Sequence, residues 1–135
     1  MYAVGRPHAL KAPSLRILAL AATSDTYFTT AEVFQELMYT YMKRGDWAEK
    51  RPRFSDFLDL MAGRIEPLND DDVRLAAEMT ATHTGLSARD FIHVAVMQRV
   101  GARYVVTADK GFGGVEGVER LDPVRVDEWR SLVTG

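Results

Sequence analysis

Three carboxylates, Glu36, Asp90 and Asp109, raise the chemical question in this sequence. Two of them fall in the stretch SARDFIHVAVMQRVGARYVVTADKGF, residues 87–112, where a helix and a strand are otherwise strongly apolar. Each acid has an ordinary structural role open to it. Ser87 and Asp90 have capping-box spacing, and a carboxylate in a first helical turn is favoured by the helix dipole. Asp109, followed by Lys-Gly, is common turn chemistry after a strand. Glu36 borders the apolar stripe of Val33, Leu37 and Tyr41, where a solvated flank residue is an equally good account. The combination says more. A helix over Ala88–Val100 that returns into the RYVV strand brings Ser87, Asp90 and Asp109 to one end of a sheet. Glu36, one to two turns into a helix leaving that same end, can face the same crevice. Clustered carboxylates repel one another and raise each other's pKa, so a fold keeps them together mainly when a cation neutralises them. Mg²⁺ or Mn²⁺ suits such ligands, and these ions can activate water and stabilise the leaving oxygen of a phosphodiester. Nucleic-acid hydrolysis is the chemistry this set makes available.

The elements that would position these acids follow from periodicity and punctuation. The first helix is expected over His8–Ala22, with Leu15, Leu18, Ala19 and Ala22 on one face, followed by a short strand at Thr26–Phe28. A long helix then opens at Thr29 as N-cap, with Glu32 three residues on, and stops at Gly45. A shorter helix over Phe54–Met61 leads to a strand at Ile65–Leu68, where Pro67 requires a strand end or a sheet edge. Asn69 or Asp70 caps the next helix, which ends near Gly85. Ser87 caps the Ala88–Val100 helix, Gly101 stops it, and RYVV reads as a strand too apolar to have a solvated face. GVERLDP gives one more strand before a helix over Asp127–Val133. Strands alternating with helices predict an α/β fold whose mainly parallel sheet is covered on both faces, with ligands at the carboxyl ends of the strands.

Bulk composition narrows the chemistry. The 135 residues, 47% hydrophobic and 27% charged, read as one globular domain, 1–135. There is no cysteine, which removes disulfides, thiolate nucleophiles and cysteine-held zinc together. No apolar run is long enough to cross a bilayer and no secretory signal opens the chain, so a soluble cytoplasmic protein with no membrane partner is expected. A net charge of −2 gives no global attraction to phosphate, so a nucleic-acid partner would need a local basic patch or bound metal. Lys43, Arg44, Lys50, Arg51 and Arg53 form the densest basic run, beside Trp47 and Phe54. As a helix-end and loop cluster it is most often a solvated face, yet with its aromatics it could grip single-stranded RNA. Met38, Tyr39, Tyr41 and Met42 read as core or partner surface. Arg89 could contact RNA or pair with a neighbouring acid. His93 shares a helix side with Asp90 and reads as a satisfied histidine of the core or of the site's surroundings. KGFGG lacks the ending of a phosphate-binding loop.

The segments MYAVGRPHALK, TTAEVFQELMYTYMKRGDW and LSARDFIHVAVMQRVGARYVVTADKGF, in that order, resemble a PIN domain of the VapC type, the ribonuclease toxins of bacterial toxin–antitoxin pairs. The resemblance implies a metal-dependent endoribonuclease acting on RNA, with a three-layer parallel-sheet fold, often a homodimer and held inactive by a cognate antitoxin. By position it assigns metal binding by Mg²⁺ or Mn²⁺ ligands to Glu36, Asp90 and Asp109, and matches Thr107 to the hydroxyl of the family's Thr-x-Asp motif. Gly111 stands where many relatives carry a further acid. The family also opens with a hydrophobic strand that ends in an aspartate just before a segment like MYAVG. That strand and its acid have no counterpart from Met1 onward, so the fold is expected to lack its first central strand. An upstream extension, a gapped fold, a strand exchanged between copies, or an inactive remnant that binds antitoxin or RNA are the alternatives.

Overall fold

A computed structural model describes residues 11–133 of the chain. The first helix, α1, spans Lys11–Thr23; its expected start at His8 lies outside the described residues. Its inward residues are Ile17, Leu18, Leu20 and Ala21, whereas Ala19 and Ala22 are exposed, so the expected stripe is rotated. The helix packs on two neighbours at once, with Ala21 facing Phe34 and Met61 while Ile17 and Leu20 face Trp129. A stripe drawn for a single partner misses that.

The next strand, β1, is Thr29–Thr30 rather than Thr26–Phe28. It pairs in parallel with β2, Ile65–Glu66, and Thr29 N–H donates to Arg64 O at 3.0 Å. Thr30, not Thr29, is the N-cap of α2, Ala31–Arg44, because Thr29 is held in the ladder and the Thr30 hydroxyl accepts from Val33 N–H. Gly45 closes α2 in the left-handed region at φ 77°, as the stop signal required. Helix α3 spans Trp47–Leu60, seven residues longer at its start than expected, and contains Pro52. The proline sits near the amino end on an exposed face, where the lost hydrogen bond is to a carbonyl that water can reach. Phe34 of α2 stacks against Phe57 (centroids 4.8 Å) and edge-on against Phe54 (5.6 Å), which locks α2 onto α3.

Helix α4 is Asp70–Met79, ending well before Gly85, with a capping box between Asn69 and Asp72. Helix α5 is Ala88–Val100, capped by Ser87 and stopped by Gly101, as the sequence predicts. Val94, Ala95 and Val96 are wholly buried, consistent with a helix apolar nearly all round. Strand β3, Tyr104–Val106, pairs in parallel with β4, Glu119–Leu121. Between them residues Lys110–Gly114 make a short 3-10 turn, and α6, Val126–Val133, ends the described chain. Among the described residues no helix is long and apolar enough to cross a membrane.

The sheet is therefore split. Among the described residues β1 and β2 form one parallel pair and β3 and β4 another, with no pairing between β1 and β3. The backbone groups of Arg103 and Thr107 face β4, so those of Tyr104 and Val106 point to the opposite edge, which has no strand beside it among the described residues. All three β3 residues are only half-buried despite their apolar character. The expectation of a strand with no solvated face is not met, because burial on a strand depends on a neighbour on each side. The fold is a three-layer α/β arrangement with α4 and α5 on one face, α1 and α6 on the other, and, among the described residues, two separate parallel strand pairs between them.

Candidate metal and RNA site

The carboxyl ends of β1 and β3 both lead to the amino end of α5. From β1, Thr30 Oγ1 lies 3.2 Å from His93 Nδ1 in the second turn of α5. From β3, the turn after Asp109 lies against the residues that precede Ser87. A Cβ on Gly111 would stand 3.2 Å from Gly85 O and from Leu86 Cδ2. The doubly wound logic that places ligands at strand carboxyl ends thus applies to both half-sheets.

Asp90 is half-buried in the first turn of α5, where its Oδ2 accepts Ser87 N–H at 3.0 Å while Ser87 Oγ accepts Asp90 N–H at 3.2 Å. The structural role open to Asp90 is realised, but it uses only one carboxylate oxygen. Asp109 behaves alike: its Oδ1 accepts Gly111 N–H at 2.8 Å, and its own N–H donates to Thr107 Oγ1 at 3.1 Å. Thr107 and Gly111 together fix the turn, which leaves Oδ2 of Asp109 free for another partner. Glu36 is half-buried on α2, and neither it, Asp90 nor Asp109 is in an ion pair among the described residues.

His93 records the field of this corner. Burial lowers its pKa, while the negative charges of Glu36, Asp90 and Glu32 pull it upward and Arg89 opposes them. Both Glu36 and Asp90 are thus close enough to act on one imidazole from two helices. The ring itself is held by Thr30, so His93 is a structural tie, as its half-buried position on α5 suggested. Arg89 resolves in favour of a neighbouring acid: its Nε lies 3.6 Å from Glu32 Oε1, and its guanidinium lies 5.3 Å from the Tyr39 ring centre.

The donor chemistry suits a hard cation, with one uncommitted oxygen on each aspartate and a glutamate at the same corner. The side chains as placed do not yet converge, since no three His, Asp or Glu residues among those described lie close enough to share one ion. The basic run also differs from expectation. Lys50, Arg51 and Arg53 belong to helix α3 rather than a loop, and none of Lys43, Arg44, Lys50, Arg51 and Arg53 forms an ion pair among the described residues. The KGFGG segment forms the 3-10 turn that seats Phe112 in the core and cradles no phosphate-binding helix.

Sequence reasoning passed over Arg64 and Arg99. Arg64 donates from Nη1 to Ala21 O at 2.6 Å and Ser24 O at 2.8 Å, and from Nη2 to Leu60 O at 2.8 Å, tying the ends of α1 and α3 to the start of β2. Arg99 reaches from the end of α5 to Asp72 at 3.0 Å and to Pro67 O at 2.8 Å. Apart from Leu60, their partners lie far away in the chain, and no local pattern announces them.

An α/β fold with acids near the carboxyl ends of parallel strands defines an architecture shared by many functions, and comparison with known proteins names the family. The chain belongs to the PIN domain family, whose pattern it matches over residues 1–118, and is of the VapC type. It is 35% identical over 112 residues to ribonuclease VapC23 of Mycobacterium tuberculosis, covering 81% of this chain and 86% of that one. It is 30% identical over 125 residues to ribonuclease VapC13 of the same organism, covering 90% of this chain and 92% of that one. Ribonuclease VapC7, also from Mycobacterium tuberculosis, is 27% identical over 124 residues, covering 91% and 86%. No solved structure matches the chain.

Proposed function

We propose that this chain is a metal-dependent endoribonuclease, the toxin component of a toxin–antitoxin pair, acting as a single cytoplasmic domain on RNA. The observation that carries the reading is that the first turn of α5 and the turn after β3 each present an aspartate, Asp90 and Asp109, anchored through one oxygen and open at the other, with Glu36 acting on the same His93 as Asp90. Its VapC relatives, named ribonucleases, support it from a second direction.

In this reading Glu36, Asp90 and Asp109 hold Mg²⁺ or Mn²⁺. The ion would supply an activated water and charge stabilisation for a phosphodiester in hydrolysis. The chain's own contribution is placement. Ser87 and the first turn of α5 orient Asp90, while Thr107 and Gly111 N–H orient Asp109. Glu36 enters from α2, whose register relative to α5 is set by Thr30 and His93. His93, whose pKa burial lowers, holds this geometry through Thr30. A cognate antitoxin and a homodimer belong to the same reading.

RNA cleavage assayed with and without Mn²⁺ tests it: cleavage that requires the metal and is lost in Asp90→Asn and Asp109→Asn supports the assignment, and cleavage indifferent to both refutes it. One observation favours a second reading, a catalytically inactive PIN fold that binds antitoxin or RNA. The sheet is open between β1 and β3 and no three acids share a point among the described residues. Mn²⁺ titration separates the two, because a working site binds the ion more tightly than isolated surface carboxylates.

A further inference from the structure

Helix α2 carries a second pattern beside its acids. Glu32, Glu36, Tyr39 and Lys43 follow one another at intervals of four, three and four residues, which places all of them within a face about 60° wide. Along that face the chemistry changes from acid to aromatic to base. Tyr39 lies about 5 Å and Lys43 about 10 Å further along the helix axis than Glu36. The Tyr39 side is far from buried, being 49% exposed. Its ring is bracketed by two cations: Arg89 of α5 at 5.3 Å and Lys43 Nζ at 5.9 Å from the ring centre. Arg89 is steadied by Glu32, whereas Lys43 has no anionic partner among the described residues.

An exposed ring on a helix surface is ordinary, but one held between a guanidinium and an ammonium, one turn from Glu36, is a recognition geometry. Any base can stack on an aromatic face, and the flanking cations neutralise the phosphates on either side of it. Arg89 and Lys43 give a chain of net charge −2 local positive charge beside the ring, as a polyanion needs.

We propose that Tyr39 is a stacking platform for a base of single-stranded RNA next to the cleaved phosphodiester, with Arg89 and Lys43 holding the adjoining phosphates. The proposal rests on the ribonuclease reading and adds the element that seats the substrate. It predicts a preference for single strands, since a paired base offers no free face to the ring.

The test is fluorescence anisotropy of a labelled single-stranded RNA oligonucleotide, with EDTA present to suppress cleavage, for the wild-type chain, Tyr39→Ala and Tyr39→Phe. Circular dichroism melts check that both variants fold. Loss of the ring is expected to weaken binding about 10- to 100-fold, the range of a base–aromatic stack, while phenylalanine stays within about threefold of wild type. Lys43→Gln is expected to lower the salt slope of binding by about 0.7, and Tyr39→Ala to leave it unchanged. Equal affinity in wild type and Tyr39→Ala overturns the stacking role alone. If that variant instead changes the oligomeric state, the patch is a protein contact and the proposal fails. A wild-type chain that binds no RNA overturns this proposal, whereas the ribonuclease reading is overturned separately, by the absence of Mn²⁺-dependent cleavage.

Discussion

Thr30 Oγ1 accepts Val33 N–H at 3.3 Å and stands 3.2 Å from His93 Nδ1, so one hydroxyl both starts α2 and ties it to α5. The contact spans the two strand pairs, between which no ladder joins β1 to β3 among the described residues. It therefore sets how Glu36 on one helix faces Asp90 on the other. Thr30→Val keeps the shape and removes both bonds, which is expected to lower stability by about 1–3 kcal/mol. Thr30→Ser should retain most of it. Urea unfolding with an unchanged m-value is the measurement, and equal midpoints for wild type and Thr30→Val would deny the tie.

Arg64 is the second pin. Its guanidinium donates to the carbonyls of Ala21, Ser24 and Leu60, at the ends of two helices. Arg64→Ala leaves these carbonyls without their donor and is expected to cost about 3 kcal/mol. Arg64→Lys should recover only part, because an ammonium cannot span both helix ends as the planar fork does. A lysine variant with wild-type stability would show that charge, rather than geometry, is what matters.

Asp72 gives a pH signature. Burial raises its pKa, but the Asn69 N–H and the Arg99 guanidinium outweigh burial and hold the carboxyl below the usual carboxylate range. Between its folded value and the unfolded value near 3.9, the unfolded chain binds the extra proton, so stability rises with pH there. The stabilisation is complete above about pH 4 and is lost as pH falls through the folded value. Urea midpoints measured from pH 5 downward should fall more steeply for wild type than for Asp72→Asn. Parallel curves would contradict the assignment.

Much of this was legible in the sequence, and the failures share a cause. Ser87, Asp90 and Gly101 announce α5 correctly because caps are local, and Gly45 ends α2 for the same reason. Thr29 and Thr30 are indistinguishable as caps until Arg64 O is known to take the Thr29 N–H, a partner 35 residues away by subtraction of 29 from 64. The expected helix over Phe54–Met61 misses the first turns of α3, which contain Pro52 near an exposed amino end, where proline is tolerated. The RYVV run was taken as fully covered, but burial on a strand depends on both neighbours, and only β4 is present beside it among the described residues. For the site, residue types and their order along the chain point to the amino end of α5, where Asp90 lies and the turn after Asp109 comes close through Gly111. The orientation of each carboxylate, set by Ser87 N–H and Gly111 N–H, is a matter of the folded turn.

Gly111 illustrates that last point. Its backbone is not in the left-handed region, so the constraint is steric: a Cβ would stand 3.1 Å from Asp109 Oδ1 and 3.2 Å from Gly85 O, close enough that these neighbours would have to shift. Gly111→Ala is expected to push Asp109 off its turn and lower RNA cleavage about tenfold or more with little change in melting temperature, since misplacement of a reacting group by a fraction of an ångström is costly. Unchanged cleavage would show that the turn absorbs the methyl group.

The most direct test of the central claim is Mn²⁺-dependent cleavage of single-stranded RNA by the purified wild-type chain and by Asp109→Asn. Asparagine keeps the size of the side chain and an oxygen for Gly111 N–H while removing the charge. The account predicts cleavage by wild type only when the metal is present, and none by the folded variant. Equal cleavage by both proteins, or cleavage that survives EDTA, would contradict it.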